Sequence, residues 1–214
     1  AMLAALLSFR RFPIMMPFGI IVASLATLVS AMGNANPAVT QLMPVLSSPL
    51  LSIHVSLMML SYTILAVIMI NGICGLIASL RHTLVPEPAE GSGLDRPSPA
   101  LRQAQGPKEA SAKMARMSEA LMYPALFFLG SGIIAGSVWA NVSWGCYWNW
   151  DPKETWALIT FLIASLGVHR TRLQFLKSPR SYHIYTLILS ASVLFTYFGV
   201  NYLLGGMHSY AKVL

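Results

Sequence analysis

The stretch from Trp144 to Trp156 is the part of this sequence whose residue types could most readily do chemistry. It reads Trp-Gly-Cys-Tyr-Trp-Asn-Trp-Asp-Pro-Lys-Glu-Thr-Trp, and Trp139 lies just upstream. An aromatic belt at a membrane–water interface is one interpretation. The density of rings favours another, a broad and flat apolar surface with N–H and O–H groups at its edge. The residues that would form this surface are Trp144, Tyr147, Trp148, Trp150 and Trp156.

The histidines discriminate among the ligands that such a surface could hold, namely haem, a quinone or a lipid headgroup. Neutral imidazole is a common axial ligand of haem iron. His54 follows a segment with two prolines, and His208 lies in Gly-Gly-Met-His-Ser-Tyr near the C-terminus. Taken singly, each could be an interfacial histidine bonded to water or backbone. Together with the aromatic surface, they favour ligation of haem iron by both.

A third histidine, His169, stands directly before Arg170 and close to Arg172. Arginines can pair with carboxylates, and haem carries two propionates, so a second haem site is conceivable here. The alternative is a boundary residue flanked by arginines that extend to water. His183 has no supporting motif and is interpreted as a boundary residue at a helix end.

The elements that position these residues follow from composition. Of 214 residues, 56% are hydrophobic and 10% are charged, whereas soluble domains carry roughly 25% charged residues. No charged residue lies between Arg11 and Arg81, between Glu119 and Asp151, or between Arg180 and Lys212. The net charge of +7 comes from basic residues that flank apolar runs, so no nucleic-acid partner is expected. The pattern excludes a disordered chain and a disulfide-stapled secreted module, and it predicts an all-α polytopic integral membrane protein.

The chain is long enough for one membrane domain, residues 1–214, with about five transmembrane helices. The fourth is short between charges, but Asp151 as N-cap, Pro152 at the first position and Glu154 in a capping box lengthen it. A catalytic role for the two carboxylates is the alternative to capping. Residues 85–107, rich in Pro, Gly, Ser and charge, predict a flexible connector. The predicted spans lie within Phe12–Met32, Leu50–Leu80, Ala120–Ala140, Pro152–Arg172 and His183–Leu204.

The distribution of basic residues predicts the orientation. With these spans, twelve of the fourteen Lys and Arg residues fall on one side of the membrane. The positive-inside rule then puts the N-terminus and the connector in the cytoplasm, and the tryptophan-rich loop and the C-terminus outside. A cleavable signal peptide over Arg10–Ala31 is the rival interpretation. Cys74 and Cys146 form no CxxC motif and are predicted to be unpaired thiols.

The tryptophan-rich string resembles the signature of a known family. The string from Trp144 to Trp156 resembles the WWD signature of haem-handling membrane proteins, and its Pro-Lys-Glu-Thr-Trp ending is similar to the CcsA (ResC) family. Three further stretches are similar to that family. They are Pro49–Ser56 followed by Ser61-Tyr62, Ala135–Ala140, and Phe198–Tyr210.

The resemblance implies a function in system II cytochrome c biogenesis. Such a protein binds haem b and, with CcsB (ResB), delivers it outside a bacterial inner membrane or thylakoid-type membrane for attachment to the CxxCH motif of apocytochrome c. His54 and His208 would be the outer axial ligands, and His169 an in-membrane ligand whose partner histidine comes from CcsB. The chain would be a subunit of a cytochrome c synthase, inactive alone, and either the C-terminal core of a CcsA protein or a short CcsA.

Two functions from other classes remain as alternatives. The first is a haem- or quinone-binding electron-transfer subunit without ligase activity, although no pair of histidines is expected on facing helices at matched depth. The second is a permease whose aromatic loop is only a belt, although the spans lack charged residues at mid-depth.

Overall fold

Four α-helices carry the fold in the part of the chain that the structure describes. The computed structural model describes residues 48–84 and 99–204. Helix α1 spans Pro49–Leu84, α2 spans Pro99–Trp144, α3 spans Pro152–Gly167 and α4 spans Pro179–Leu194. A 3₁₀ turn at Gln174–Leu176 joins α3 to α4, and α4 continues as a π-helix over Phe195–Leu204. No strand occurs in these two ranges, and the predicted all-α class is confirmed.

Three segments of the described chain are long and apolar enough to cross a membrane, and the protein is an integral membrane protein. They are Pro49–Arg81, Gly106–Trp144 and Pro179–Leu204. They contain the second, third and fifth predicted spans. Helix α3, the fourth, has 16 residues, which is about 24 Å of helix against a hydrocarbon core of about 30 Å. The first predicted span, Phe12–Met32, lies outside the described residues.

The starts of α1, α3 and α4 share one sequence feature, a capping residue followed by proline. The Ser48 hydroxyl accepts from the Leu50 N–H before Pro49, and the Ser178 hydroxyl accepts from the Ser181 N–H before Pro179. Asp151 caps α3 in the same way, before Pro152. Proline fits the first helical position because its missing N–H would have no partner inside the helix. These caps explain why long apolar helices begin at defined residues.

The predicted connector is partly helical. Helix α2 begins at Pro99 and runs through Pro107, so residues 99–107 belong to α2. The segment Ala-Leu-Arg-Gln-Ala-Gln after Pro99 consists of strong helix formers, and these outweigh the single Gly106 that follows. The rest of the predicted connector, residues 85–98, lies outside the described residues.

The most extensive helix–helix contact in the described bundle is between α1 and α2. Helix α4 packs against α1, and α3 packs against both α2 and α4. Apolar side chains such as Ile68, Met122 and Leu189 form the buried core. Polar side chains of α1 also form hydrogen bonds with the backbone of α2. The Ser61 hydroxyl donates to the Ala125 carbonyl at 2.9 Å, and the Asn71 amide donates to the Met114 carbonyl at 2.7 Å. Such bonds hold helices together where lipid offers no competing partner.

The bundle has two chemically different ends. We call the first the tryptophan end. It comprises the first turns of α1, the tryptophan-rich segment Trp144–Trp156 and the π-helix; the loop proper is the part of this segment between α2 and α3. The opposite one, around Glu119, Arg170 and Lys177, is called the arginine end. Cys74 in α1 and Cys146 in the loop are both free thiols, as predicted.

An ion pair closes the arginine end. Arg170, in the turn after α3, is buried and lies 2.9 Å from the Glu119 carboxylate of α2. Its other N–H groups donate to the carbonyls of Leu176 and Lys177. The guanidinium also stacks over the Tyr182 ring, 4.8 Å from its centroid. Arg170 therefore joins α2, the 3₁₀ turn and α4 at one point.

We expect Arg170→Gln and Glu119→Gln each to lower the free energy of unfolding by about 3 kcal/mol, because each leaves the other charge buried and unpaired. The measurement is thermal or denaturant unfolding of the detergent-solubilised protein. Arg172→Gln is the matched control: Arg172 is exposed, and its replacement should cost less than about 0.5 kcal/mol. Equal losses in all three variants would show that the ion pair has no special role.

Candidate functional site

His54 lies in the second turn of α1, at the tryptophan end, and is half-buried against α2. Its Nδ1 is 2.7 Å from the carbonyl oxygen of Gly132. A carbonyl oxygen can only accept, so Nδ1 carries the proton. In the neutral ring, Nε2 then carries the lone pair, and this arrangement is typical of metal-ligating histidines.

The His54 ring rests directly on Gly136, one turn beyond Gly132 in α2. A Cβ atom at Gly136 would lie 2.7 Å from both Cε1 and Nδ1 of the imidazole, closer than carbon atoms approach without a shift. Gly136 therefore gives the ring its place, and the Gly132 carbonyl sets its orientation. Two residues of α2 thus determine the direction in which Nε2 points.

A cavity of about 250 Å³ opens beside His54. Its wall on α1 has a helical period, Leu51, His54, Val55, Met58, Met59 and Tyr62, which are positions of a single helix face. The remaining walls come from α2, the tryptophan-rich loop, the first turns of α3 and the π-helix. Their aromatic and charged members are Trp139, Tyr147, Trp148, Lys153, Glu154 and Tyr197.

The tryptophan rings do not form the single flat surface that the sequence predicts. Trp139 and Trp144 meet edge to face, with centroids 4.9 Å apart and planes at 80°. Trp148 and Trp150 do the same at 5.9 Å and 87°. Edge-to-face contact is the arrangement that aromatic quadrupoles prefer, and it turns half of the rings away from any common plane.

The five predicted aromatic residues therefore have different positions. Tyr147 and Trp148 line the cavity beside His54. Trp144 supports the buried Trp139, whose ring lines the cavity. Trp150 is 69% exposed. Trp156 packs at a tilt against Phe195 of the π-helix, with ring centroids 4.2 Å apart and planes at 47°. Neither is among the cavity-lining residues.

Asp151 and Glu154 act as a capping box, as predicted. The Asp151 carboxylate accepts from the Lys153 N–H at 3.0 Å, and Glu154 Oε2 accepts from the N–H groups of Asn149 and Asp151. Glu154 therefore holds the loop as well as the helix. Trp150, between these bonds, has a φ of 55°, a conformation that a bulky residue rarely adopts and that costs of order 1–3 kcal/mol.

Lys153 links the loop to the π-helix. Its Nζ donates to the Asn201 Oδ1 at 3.0 Å, and the Asn201 amide donates to the Tyr197 carbonyl within the π-helix. A second link runs from Thr160 of α3 to Thr196, 3.1 Å apart. These bonds fix the wall of the cavity that carries Tyr197. Segments of π-helix occur frequently at functional sites.

The other predicted ligands lie elsewhere. His208 lies outside the described residues. His169 is exposed in the turn after α3, at the arginine end, so it is far from His54. Arg170, which the sequence offered as a partner for propionates, is instead paired with Glu119, because this carboxylate of the chain itself faces it across the α2–α3 contact.

His183 is not the boundary residue that its position at a helix end predicts. It is fully buried, its Nε2 is 3.1 Å from the Ser111 carbonyl, and its ring fills the space over Gly75. The end of α4 is enclosed by α1 and α2, which extend beyond it. This close contact leaves no room for a planar ligand at His183.

The sequence assigned no site role to several of the cavity residues, among them Met58, Tyr62 and Tyr197. The first two lie four and eight residues after His54, so the helical period of α1 would have found them. Tyr197 had no comparable signal, because its position depends on the tertiary contact between α3 and the π-helix.

Comparison with known proteins identifies the family. Residues 2–208 match the family described as "Cytochrome C assembly protein". The chain belongs to this family. The resemblance to CcsA carried by the tryptophan-rich motif is confirmed, and family membership supports a role in cytochrome c maturation, in which haem is handled.

Individual relatives agree with this assignment. Protein NrfI of Wolinella succinogenes is 35% identical over 215 residues, covering 99% of this chain and 21% of that protein. The cytochrome c biogenesis protein CcsA of Guillardia theta is 36% identical over 206 residues, covering 92% of this chain and 65% of its own length. CcsA of Mesostigma viride is 34% identical, and the match covers 58% of it. This chain therefore spans less than two thirds of each of these relatives.

The contact between Gly136 and His54 predicts a specific mutational cost. Gly136→Ala should lower the free energy of unfolding by about 1–3 kcal/mol, because the added methyl overlaps the imidazole. In a His54→Ala background the same change should cost little, since the ring is gone. Gly106→Ala, with no atom within 4 Å of the added Cβ, is the control and should be neutral or stabilising.

Denaturant unfolding in detergent of the two single variants and the double variant gives this coupling. If Gly136→Ala costs the same with and without the His54 ring, the ring does not rest on Gly136 as described.

Proposed function

We propose that this chain binds haem b at the tryptophan end and presents it for attachment to the CxxCH motif of apocytochrome c. The observation that carries the proposal is the histidine His54, held by the Gly132 carbonyl beside an aromatic cavity. Family membership supplies the process, cytochrome c assembly. The proposal adds haem b as the ligand, the tryptophan end as its site, and presentation to apocytochrome c as the step in which this chain acts.

The donor chemistry of His54 suits haem iron. The hydrogen bond from Nδ1 to a carbonyl raises the basicity of the ring and leaves Nε2 as the ligating atom. Because the imidazole edge packs against Gly136, the fold sets the orientation of the ring before a ligand binds. A ring that is already oriented in the folded protein loses less conformational entropy when it binds a metal.

The cavity suits one face and part of the edge of a porphyrin. Trp148 and Trp139 offer aromatic contacts, and Met58 offers a polarisable side chain. At about 250 Å³ the cavity is smaller than the 300–1,000 Å³ or so of pockets that bury a whole ligand. A planar ligand seated there keeps another edge exposed, which attachment to a second protein requires.

His208 is the proposed second axial ligand. It follows Asn201 by seven residues, and Asn201 is bonded to Lys153 at the rim of the cavity. This bond holds Asn201 at the side of the cavity lined by the π-helix, and the described range ends three residues later, at Leu204.

The chain's own contribution to the reaction is positioning. The apocytochrome supplies two thiols and haem supplies the vinyl groups to which they add, so no nucleophile of this chain is needed. His54 restrains the iron, Trp148 and Tyr147 restrict the orientation of the ring, and the apolar walls exclude water. Asp151 and Glu154 serve the loop, since both are engaged in the capping box.

The wider setting is part of the proposal. The tryptophan end would face the outside of the membrane and the arginine end the cytoplasm, in keeping with the positive-inside rule. His169, exposed at the arginine end, would ligate haem only together with a histidine from a CcsB-like partner, with which this chain would form a cytochrome c synthase.

We expect His54→Gly to lower the haem recovered with protein purified from membranes, and added imidazole to restore it, because imidazole can occupy the space that the side chain leaves. Haem content is measured as pyridine haemochrome per mole of protein, with the CcsB homologue co-expressed. Ile53→Ala, one residue away on an exposed face, is the control and should keep full haem. Unchanged haem content and spectra in His54→Gly would refute the ligand assignment.

The positions of the tryptophans predict a second contrast. Trp148→Leu should lower haem content several-fold, since it removes an aromatic face from the cavity wall, where stacking of rings is worth about 0.5–1.5 kcal/mol. Trp150→Leu should have a smaller effect, because Trp150 is exposed and does not line the cavity. Both variants keep an apolar side chain, so membrane insertion should be equal. Equal haem loss in the two would favour an interfacial role for the whole loop.

A further inference from the structure

The arginine end contains a cavity that the proposed haem site does not use. It has a volume of about 470 Å³ and opens between α2 and the turn after α3. Its lining residues are Ala112, Arg116, Glu119, Arg170, Thr171 and Lys177. The lining contains neither a histidine nor an aromatic ring, unlike that of the cavity at the tryptophan end.

The floor of this cavity is rigid. Arg170 is fixed by the Glu119 carboxylate, by the carbonyls of Leu176 and Lys177, and by the Tyr182 ring. Because Arg170 holds the Lys177 carbonyl at 3.3 Å, the backbone from which the Lys177 side chain extends is also fixed. The cavity is therefore shaped by the fold itself.

Two cations of the cavity are uncommitted. Arg116 and Lys177 are exposed, and neither side chain has a hydrogen bond or ion pair with another residue of the described ranges. The one carboxylate in the lining, Glu119, is already paired with Arg170. The cavity therefore has an excess of positive charge, with the Thr171 hydroxyl as a further polar group.

An apolar face of α2 continues from the cavity toward the tryptophan end. Tyr123 and Phe127 follow Arg116 by seven and eleven residues, which puts them on the same side of the helix. Tyr123 is 58% exposed and Phe127 is 67% exposed. The Tyr123 hydroxyl also donates to the Val168 carbonyl at 3.4 Å, so this face borders the same turn as the cavity.

The cavity lies where the chain changes from polar to apolar. Glu119 is the last charged residue of α2 before Asp151, and Arg170 comes three residues after the end of α3 at Gly167. We expect phospholipid headgroups to meet the protein at such a boundary, and basic pockets between transmembrane helices bind anionic headgroups.

We propose that this cavity binds an anionic phospholipid, with the phosphate between Arg116 and Lys177 and an acyl chain along Tyr123 and Phe127. The uncommitted cations select an anion. The apolar face of α2 next to these cations favours an amphipathic anion, and this argues for a lipid and against free phosphate. The absence of any aromatic or histidine side chain from the cavity lining argues against a porphyrin.

The test uses the full chain, purified in detergent, depleted of lipid and titrated with phosphatidylglycerol, phosphatidylcholine or inorganic phosphate. Binding is read by native mass spectrometry. We expect phosphatidylglycerol to bind more tightly than phosphatidylcholine, and Arg116→Gln with Lys177→Gln to remove this preference, roughly fivefold for each cation. Arg172→Gln with Arg180→Gln changes the net charge equally at exposed positions outside the cavity and should leave the preference intact.

Four outcomes would overturn the proposal. Equal binding of the two lipids by the unmodified chain is the first, and equal weakening by the two double variants is the second. The third outcome combines two results: inorganic phosphate binds as tightly as phosphatidylglycerol, and Phe127→Ser leaves lipid binding unchanged. Together they would indicate a site for simple anions. If the cavity double variant is not recovered folded, Lys177→Gln against Arg172→Gln gives the same comparison. Loss of haem from the cavity variant with lipid binding unchanged would assign the cavity to haem carboxylates.

Discussion

The carbonyl groups of α2 are the acceptors on which the arrangement of the bundle depends. Side chains from other helices donate to them at successive levels: His54 to Gly132, Ser61 to Ala125, Asn71 to Met114 and His183 to Ser111. A polar side chain buried among apolar helices is costly without a partner. These bonds therefore allow α1 and α4 to carry polar residues on their inner faces, and they fix the relative height of the helices. The orientation of His54 is one result of this general arrangement.

The sequence predicts best what depends on local chemistry. The Asp151–Glu154 capping box, the start of α3 at Pro152 and the three long apolar helices follow from residue types at fixed spacing, and they are present. Perpendicular tryptophan rings, the buried His183 and the pairing of Arg170 with Glu119 were not predicted. Each depends on contacts between helices that are far apart in the sequence. In particular, Glu119 lies 51 residues before Arg170, so nothing near Arg170 in the sequence indicates that its charge is already matched.

The two ends of the bundle differ in how their charges and rings are used. At the tryptophan end, charged side chains hold the structure: Glu154 accepts from the loop backbone and Lys153 donates to the Asn201 side chain of the π-helix. The cavity is lined mainly by apolar and aromatic side chains. At the arginine end, one ion pair is used for the fold and the neighbouring cations remain available. The two ends therefore suit different ligands, a planar one at the tryptophan end and an amphipathic anionic one at the arginine end. Haem propionates would need cations, and Lys153 is the cation that lines the aromatic cavity.

The shortness of α3 has a consequence for the surrounding lipid. With 16 residues, this helix is about 6 Å shorter than a typical hydrocarbon core. Its neighbours are longer, since α2 has 46 residues and α4 with its π-helical continuation has 26, so among the described helices the bundle is short on the flank that α3 forms. Bilayers adapt to such mismatch by thinning locally or by letting flanking polar groups reach outward. The start of α3 carries the capping box and Lys153, and the resulting depression would open on this side of the bundle. Water-soluble proteins could then approach the tryptophan-rich loop from below the general level of the membrane surface, along a groove that the lipid itself leaves open.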